Sequence, residues 1–191
     1  TRRQIHGDPR PGAAMSRRWQ AALGVVVAAV FAGAGFLSYQ WQMSDAPGDA
    51  VATGRALMAA KLMGIDDQLQ PFEQWRGKVL VVNFGATWCT PCREEIPGFI
   101  RFQDRYRDAG VQFVGVAIDQ KQRVAPYAKE MGINYPLLVG GLETMEFARQ
   151  LGNQRGVLPF TLVLDRAGKV KTAVIGILKA DKLEAVLQPL L

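Results

Sequence analysis

The stretch GATWCTPCREEIPGF, residues 85–99, contains Cys89 and Cys92, the only two cysteines of the 191-residue chain. It follows KVLVVNF, residues 78–84, a short apolar run typical of a strand that is buried on both faces of a sheet. After the cysteines, apolar residues recur mostly at helical spacing as far as Tyr106. The sequence therefore predicts that the cysteine pair lies at the end of a buried strand and opens a helix.

Strands and helices alternate along the rest of the chain. A hairpin is predicted around the turn GIDDQ at residues 64–68, although the residues before it are ambiguous between strand and helix. The later elements predicted are strand 111–119, helix 124–131 ending at Gly132, strand 135–140, helix 143–151, the hairpin 160–176 and a last helix capped by Asp181. This order predicts an α/β fold with a mixed sheet that helices cover on both faces.

The N-terminal part of the sequence has a different character. Residues 21–39 form an uncharged run of 19 residues, long enough to cross a bilayer. Arg17 and Arg18 precede it, and Trp19 and Trp41 flank it, as expected for a segment with its N-terminus in the cytoplasm. A transmembrane helix that acts as an uncleaved signal anchor is the favoured interpretation, with a cleaved signal peptide and a buried core helix as alternatives.

These features divide the chain into four predicted parts. Residues 1–18 form a basic cytoplasmic tail and 19–41 the signal anchor. Residues 42–54, small and polar, form a linker, and 55–191 form the folded domain. We expect a single-pass protein of the cytoplasmic membrane with this domain in the periplasm.

The net charge of +6 does not indicate a nucleic-acid partner. Residues 1–18 contain five arginines against one aspartate, which leaves a net charge of only +2 for the rest of the chain. The positive charge therefore belongs mainly to the segment that orients the chain in the membrane.

Two cysteines separated by two residues fit four kinds of site: half a zinc site, a haem attachment, a static disulfide or a redox-active dithiol. The only histidine, His6, precedes the apolar segment, so the domain lacks the four ligands of a closed zinc site. Arg93 follows Cys92 where haem attachment needs histidine. A static disulfide suits an oxidising compartment, but closing so short a loop stabilises a fold very little.

The expected position at the start of a helix favours redox chemistry. Unpaired backbone N–H groups and the helix dipole stabilise an anion there, so Cys89 is the expected attacking thiolate. Cys92, one turn further, is then the resolving thiol that releases the product from a mixed disulfide. Pro91 suits the first helical turn, and Trp88 either shields the pair or packs against the strand end.

The segments VVNFGATWCTPCREEIP, residues 81–97, and GVLPFTLVLDRAGKV, residues 156–170, resemble the membrane-anchored TlpA/ResA branch of the thioredoxin superfamily. The resemblance covers residues 55–191 and implies a thioredoxin-like fold. It also implies that Cys89 and Cys92 are a redox-active disulfide and that no other cofactor is needed.

The resemblance assigns roles to further residues. Pro159 corresponds to the cis-proline that faces the disulfide, and the exposed backbone of Leu158 is expected to pair with an extended substrate segment. Glu95 corresponds to the acid that transfers protons. Trp88, Thr90 and Pro91 are expected to contact the substrate together with Leu158.

Three positions set this chain apart within the superfamily. Asn83 stands where cytoplasmic thioredoxins have a buried aspartate, and an asparagine in a buried strand is structural by default. Gly85 stands where an aromatic residue is usual, and Leu158 where threonine is common. The surface that meets the substrate is therefore expected to be atypical.

The resemblance implies a disulfide reductase that acts on selected proteins, such as apocytochrome c or copper-site assembly factors. A membrane electron donor that transfers thiol equivalents would reduce it again. A copper chaperone of the Sco type would need wider cysteine spacing and a later histidine, and a peroxiredoxin would need threonine in place of Gly85. A non-catalytic binding module with a structural disulfide is a further alternative.

Overall fold

The computed structural model of the protein describes residues 49–191. The predicted tail 1–18, the predicted anchor 19–41 and most of the predicted linker lie outside these residues. Within the described range, no helix combines the length and the apolar character needed to cross a bilayer.

The described residues form five α-helices and seven strands. The helices are α1 (Ala50–Ala59), α2 (Thr90–Tyr106), α3 (Lys121–Met131), α4 (Leu142–Gln150) and α5 (Ala180–Leu187). The strands are β1 (Lys61–Gly64), β2 (Leu69–Pro71), β3 (Val79–Gly85), β4 (Val111–Ile118), β5 (Leu137–Gly140), β6 (Phe160–Leu164) and β7 (Val170–Ile175). Two short 3-10 helices, Phe72–Trp75 and Gln188–Leu190, complete the described part of the chain.

The strands form one mixed sheet in the order β2-β1-β5-β4-β3-β6-β7. The central strands β3, β4 and β5 run parallel, while β6 and β7 on one side and β1 and β2 on the other are antiparallel to their neighbours. Because β3 and β4 are parallel, their carboxyl ends meet at one edge of the sheet, and α2 begins just beyond that edge. The predicted α/β fold is thus confirmed.

Residues of β3 alternate between two apolar cores, one on each face of the sheet. Leu80, Val82 and Phe84 pack in the core shared with α1 and α4, whereas Val79 and Val81 pack in the core beneath α2 and α5. This alternation follows from the pleat of a strand. It also explains why the sequence of this strand is almost uniformly apolar.

The structure corrects the start of the domain. Residues 50–54, predicted as linker, belong to α1, whose N-terminus is capped by the carboxylate of Asp49. Gly54, the last residue of the predicted linker, is buried where α1 crosses the turn between β6 and β7. A Cβ at Gly54 would lie only 2.0 Å from the carbonyl oxygen of Gly168. Glycine is therefore required by a close approach and does not end the helix.

Two further elements differ in detail from the prediction. The hairpin around residues 64–68 is confirmed, but its first strand begins at Lys61 and the preceding residues are helical. Helix α5 begins at Ala180 with Lys179 at the N-cap, and no side chain caps it. The prediction that Asp181 caps this helix is wrong, because Asp181 already lies in its first turn.

Candidate active site

The cysteine pair lies at the start of α2, as predicted. Cys89 is the N-cap residue, and its Sγ accepts a hydrogen bond from the backbone N–H of Cys92 at 3.3 Å. The two sulfur atoms form a disulfide, and both side chains are buried, with exposed fractions of 6% for Cys89 and 2% for Cys92. A thiolate at Cys89 would face the positive end of the helix dipole, which stabilises an anion.

The peptide bond between Leu158 and Pro159 is cis, as the resemblance implied. Leu158 packs against a small cluster formed by Ala86, Cys89 and Cys92. The loop that precedes β6 therefore meets the disulfide, and two segments far apart in the sequence form one site.

The residues predicted to contact the substrate surround the disulfide but differ in exposure. Trp88 is 65% exposed, so the alternative that it packs against the strand end is wrong. Thr90 is exposed, and Pro91 and Leu158 are partly buried. An exposed large aromatic ring directly beside Cys89 gives the site an apolar rim that a protein partner can cover.

Glu95 lies behind the cysteine pair and is buried, with 5% of its surface exposed. Its Oε1 accepts a hydrogen bond from Asn83 Nδ2 at 2.6 Å, and its Oε2 accepts one from the backbone N–H of Leu178 at 3.0 Å. Burial raises the pKa of Glu95 to about 7, and the two hydrogen bonds limit the rise. The alternative in which Glu95 is a solvated surface residue is therefore wrong, and its role in proton transfer stays a prediction.

Gly85 opens a small cavity beside the buried sulfur. A Cβ at Gly85 would lie 3.5 Å from Cys92 Sγ and 3.6 Å from Asn83 Oδ1, which is ordinary van der Waals contact. The cavity has a volume of about 40 Å³, and Tyr127 and Tyr135 are among the residues that line it. That is room for water but not for an aromatic ring.

One contact in the site was not predicted from the sequence. Asp119 follows β4 and accepts hydrogen bonds from the side chain and the backbone N–H of Thr87, in the loop before Cys89. Burial raises the pKa of Asp119, but the hydrogen bonds from Thr87 and Gln120 outweigh it and the net shift is downward. The sequence did contain a signal for this contact, because the carboxyl ends of neighbouring parallel strands such as β3 and β4 lie at the same edge of a sheet.

Comparison with known proteins identifies the family. Residues 53–173 match the AhpC/TSA family. The chain belongs to this family. The HelX thiol:disulfide interchange protein of Rhodobacter capsulatus is 32% identical over 174 residues, which cover 88% of this chain and 93% of HelX. The thiol-disulfide oxidoreductase ResA of Geobacillus thermodenitrificans is 28% identical over 142 residues, covering 73% and 78% of the two chains.

Solved structures agree with these relatives. A thiol:disulfide interchange protein of the thioredoxin family from Chlorobium tepidum is similar with a TM-score of 0.61 and 28% identity. The similarity covers 69% of this chain and 92% of that protein. Together with the Cys89–Cys92 pair, these relatives confirm the resemblance to ResA-like proteins. The chain is a thioredoxin-like protein thiol–disulfide oxidoreductase.

Proposed function

We propose that this oxidoreductase is a membrane-tethered, periplasm-facing reductase of disulfides in selected proteins. The observation that carries the proposal is the position of the cysteine pair, with Cys89 at the N-cap of α2 and Cys92 buried behind it. In this proposal Cys89 is the thiol that meets a partner, and Cys92 acts within the molecule.

The proposed reaction uses both thiols in turn. The Cys89 thiolate attacks one sulfur of a substrate disulfide and forms a mixed disulfide, and the other substrate sulfur leaves as a thiolate. The Cys92 thiolate then attacks Cys89 Sγ and expels the second substrate sulfur. Two electrons pass from the dithiol to the substrate, and Cys89 and Cys92 end as a disulfide.

Cys92 must lose a proton before it can attack, and Glu95 is the proposed acceptor. Residues three apart in a helix lie on the same face, so Glu95 follows Cys92 on the inner face of α2. A carboxyl group whose pKa is raised to about 7 by burial is suited to exchange protons near neutral pH. The proton returns to Cys92 when a donor reduces the disulfide again.

The substrate surface that we propose consists of Trp88, Thr90 and Pro91 with the backbone of Leu158. Its apolar rim and the location of Leu158 against the cysteines support binding of an extended peptide segment across the disulfide. The family resemblance supports apocytochrome c or copper-site assembly factors as substrates.

The apolar sequence of residues 21–39 supports a single-pass anchor in the cytoplasmic membrane with the domain in the periplasm. A reductase in that compartment needs electrons from the cytoplasmic side. We therefore propose a membrane protein that transfers thiol equivalents as its electron donor.

A trapping experiment tests the function. Cys92→Ser in the full chain leaves Cys89 without a resolving thiol, so mixed disulfides with substrate proteins should accumulate and should disappear on reduction. Cys89→Ser is the matched control and should trap no partner, because it removes the attacking thiol. Equal capture by both variants, or capture by neither, would contradict the proposal and favour a binding module with a structural disulfide.

A further inference from the structure

Asn83 is a buried polar residue in β3, with 8% of its surface exposed. Its single amide nitrogen donates two hydrogen bonds, to Glu95 Oε1 at 2.6 Å and to Thr161 Oγ1 at 2.9 Å. Both amide hydrogens are therefore used, and the orientation of the side chain is fixed by two elements, α2 and β6. An asparagine held in this way has a defined donor direction toward the carboxylate.

The register of the sheet explains why Asn83 reaches Glu95. Asn83 pairs with Thr161 across the β3–β6 ladder and lies on the same face as Val81, beneath α2. The oxygen of the same amide group, Oδ1, borders the cavity at Gly85 that Cys92 also lines. The amide group of Asn83 thus lies between the Glu95 carboxylate and the space beside the Cys92 sulfur.

We propose that Asn83 is a positioning residue that orients Glu95 and stabilises its ionised carboxylate for proton exchange with Cys92. The inference rests on the proposed role of Glu95 as the proton acceptor. It assigns a function to a residue whose position in a buried strand suggested only a structural role.

A hydrogen-bond donor at position 83 favours the ionised form of Glu95. One carboxylate oxygen is held by the Leu178 N–H and the other by Asn83, so Asn83 supplies the only side-chain donor to the carboxylate among the described residues. A donor favours the charged form, and burial opposes it. An aspartate in place of Asn83 would present a second acceptor beside Glu95 when ionised, and the two carboxylates would compete for one proton.

Other charged and titratable groups surround Glu95. On its own helix these are Cys92, Glu94 and Arg101, and Lys179 comes from the loop before α5. Tyr135 lies in the segment before β5. Burial is the main cause of the raised pKa of its phenol, and the negative charge of Glu95 raises that pKa further. The test must therefore separate the effect of Asn83 on Glu95 from a general change in the site.

The test follows the reaction of the reduced full chain with an aromatic disulfide reagent that releases a coloured thiol. The first release reports attack by Cys89, and the second reports resolution by Cys92. The rate of each phase is measured against pH for the wild type, Asn83→Leu, Glu95→Gln and the double variant. Thr161→Val is the matched control, because it removes the other partner of Asn83 and leaves the donor to Glu95 in place.

We expect Asn83→Leu to move the acid limb of the second phase upward by about one pH unit, because the ionised carboxylate loses a donor. The first phase should keep its profile, Thr161→Val should shift the limb much less, and Asn83→Leu should add no shift when Glu95 is already glutamine. If Asn83→Leu does not fold, Asn83→Asp has the same shape and should shift the limb in the same direction.

The outcomes distinguish the two proposals. If Glu95→Gln alters the second phase but the Asn83 variants do not, or if their shift persists without Glu95, the role of Asn83 is overturned and that of Glu95 stands. If Glu95→Gln itself leaves the second phase unchanged, the proton-transfer role of Glu95 and the inference about Asn83 both fail.

Discussion

At the scale of single residues, the site depends on a contrast between its two cysteines. Cys89 occupies the N-cap position, where its own sulfur is the capping group, and lies next to the exposed Trp88. Cys92 is buried and, with Gly85, lines a small cavity. The two identical side chains thus have different surroundings within one helical turn, which supports the different roles proposed for them. The next turn of α2 places Glu95 in a buried, hydrogen-bonded environment.

The first prediction at this scale concerns thiol accessibility. In the reduced protein at neutral pH, iodoacetamide should label Cys89 well before Cys92, because the helix N-terminus favours the Cys89 thiolate and Cys92 is the more deeply buried of the two. Peptide mapping by mass spectrometry gives the order of labelling. Unfolding in urea should abolish the difference, and faster labelling of Cys92 in the folded protein would reverse the assigned roles.

The second prediction concerns Glu95 and stability in the oxidised protein. Because its pKa is raised from 4.5 to about 7 on folding, the folded state holds this proton more tightly. The raised pKa therefore stabilises the folded state by about 3 kcal/mol below pH 4.5, and this stabilisation is lost as the pH rises through about 7.

Urea unfolding from about pH 4 to pH 8 checks this expectation. Glu95→Gln should lack that part of the pH dependence, whereas Glu94→Gln, an exposed neighbour on the same helix, should retain it. A wild-type protein and a Glu95→Gln variant with parallel pH profiles would contradict the buried carboxyl group seen in the structure.

At the scale of elements, helices and strands meet through close backbone contacts as well as through apolar side chains. Gly54 lets α1 cross the β6–β7 turn at Gly168, and Gly98 lies within α2 with open space beside it. The two glycines occupy similar helical positions but have opposite surroundings. Their substitution by alanine should therefore have opposite effects.

Gly98→Ala should stabilise the protein by about 0.5–1 kcal/mol, since alanine is the better helix former and its Cβ meets no neighbour. Gly54→Ala should destabilise it by roughly 1–3 kcal/mol, because its Cβ would collide with a backbone oxygen. Urea denaturation compares the two free energies of unfolding. Stabilisation by both substitutions would show that α1 does not approach Gly168 as closely as described.

The comparison of these elements with the sequence shows what pattern alone can reveal. The buried strand β3 and the helix that follows the cysteines were predictable because their apolar periodicity and turn residues are local signals. The helical state of residues 50–54 was not, because Gly54 is explained only by a contact with Gly168, far along the chain. The same holds in the site, where the Asn83–Glu95 bond depends on the packing of α2 over β3.

At the scale of the whole molecule, the described domain combines a mixed sheet with a cysteine pair at the edge where parallel strands end. The fold positions this pair, and the direction of electron flow depends on the potential of the pair relative to that of its compartment. Strong oxidants stabilise their reduced thiolate. Here the residues between the two cysteines are Thr90 and Pro91, and neither carries a charge. Stabilisation of the reduced thiolate by these residues should therefore be weak.

The midpoint potential of the Cys89–Cys92 couple tests the central claim most directly. Equilibration of the full chain with glutathione buffers at neutral pH, followed by quantification of alkylated thiols, measures this potential. We predict a midpoint below about −200 mV, nearer to that of thioredoxin than to that of strong oxidases. A value near about −120 mV, the scale of a strong oxidase, would contradict the proposed reductase and leave the fold assignment intact.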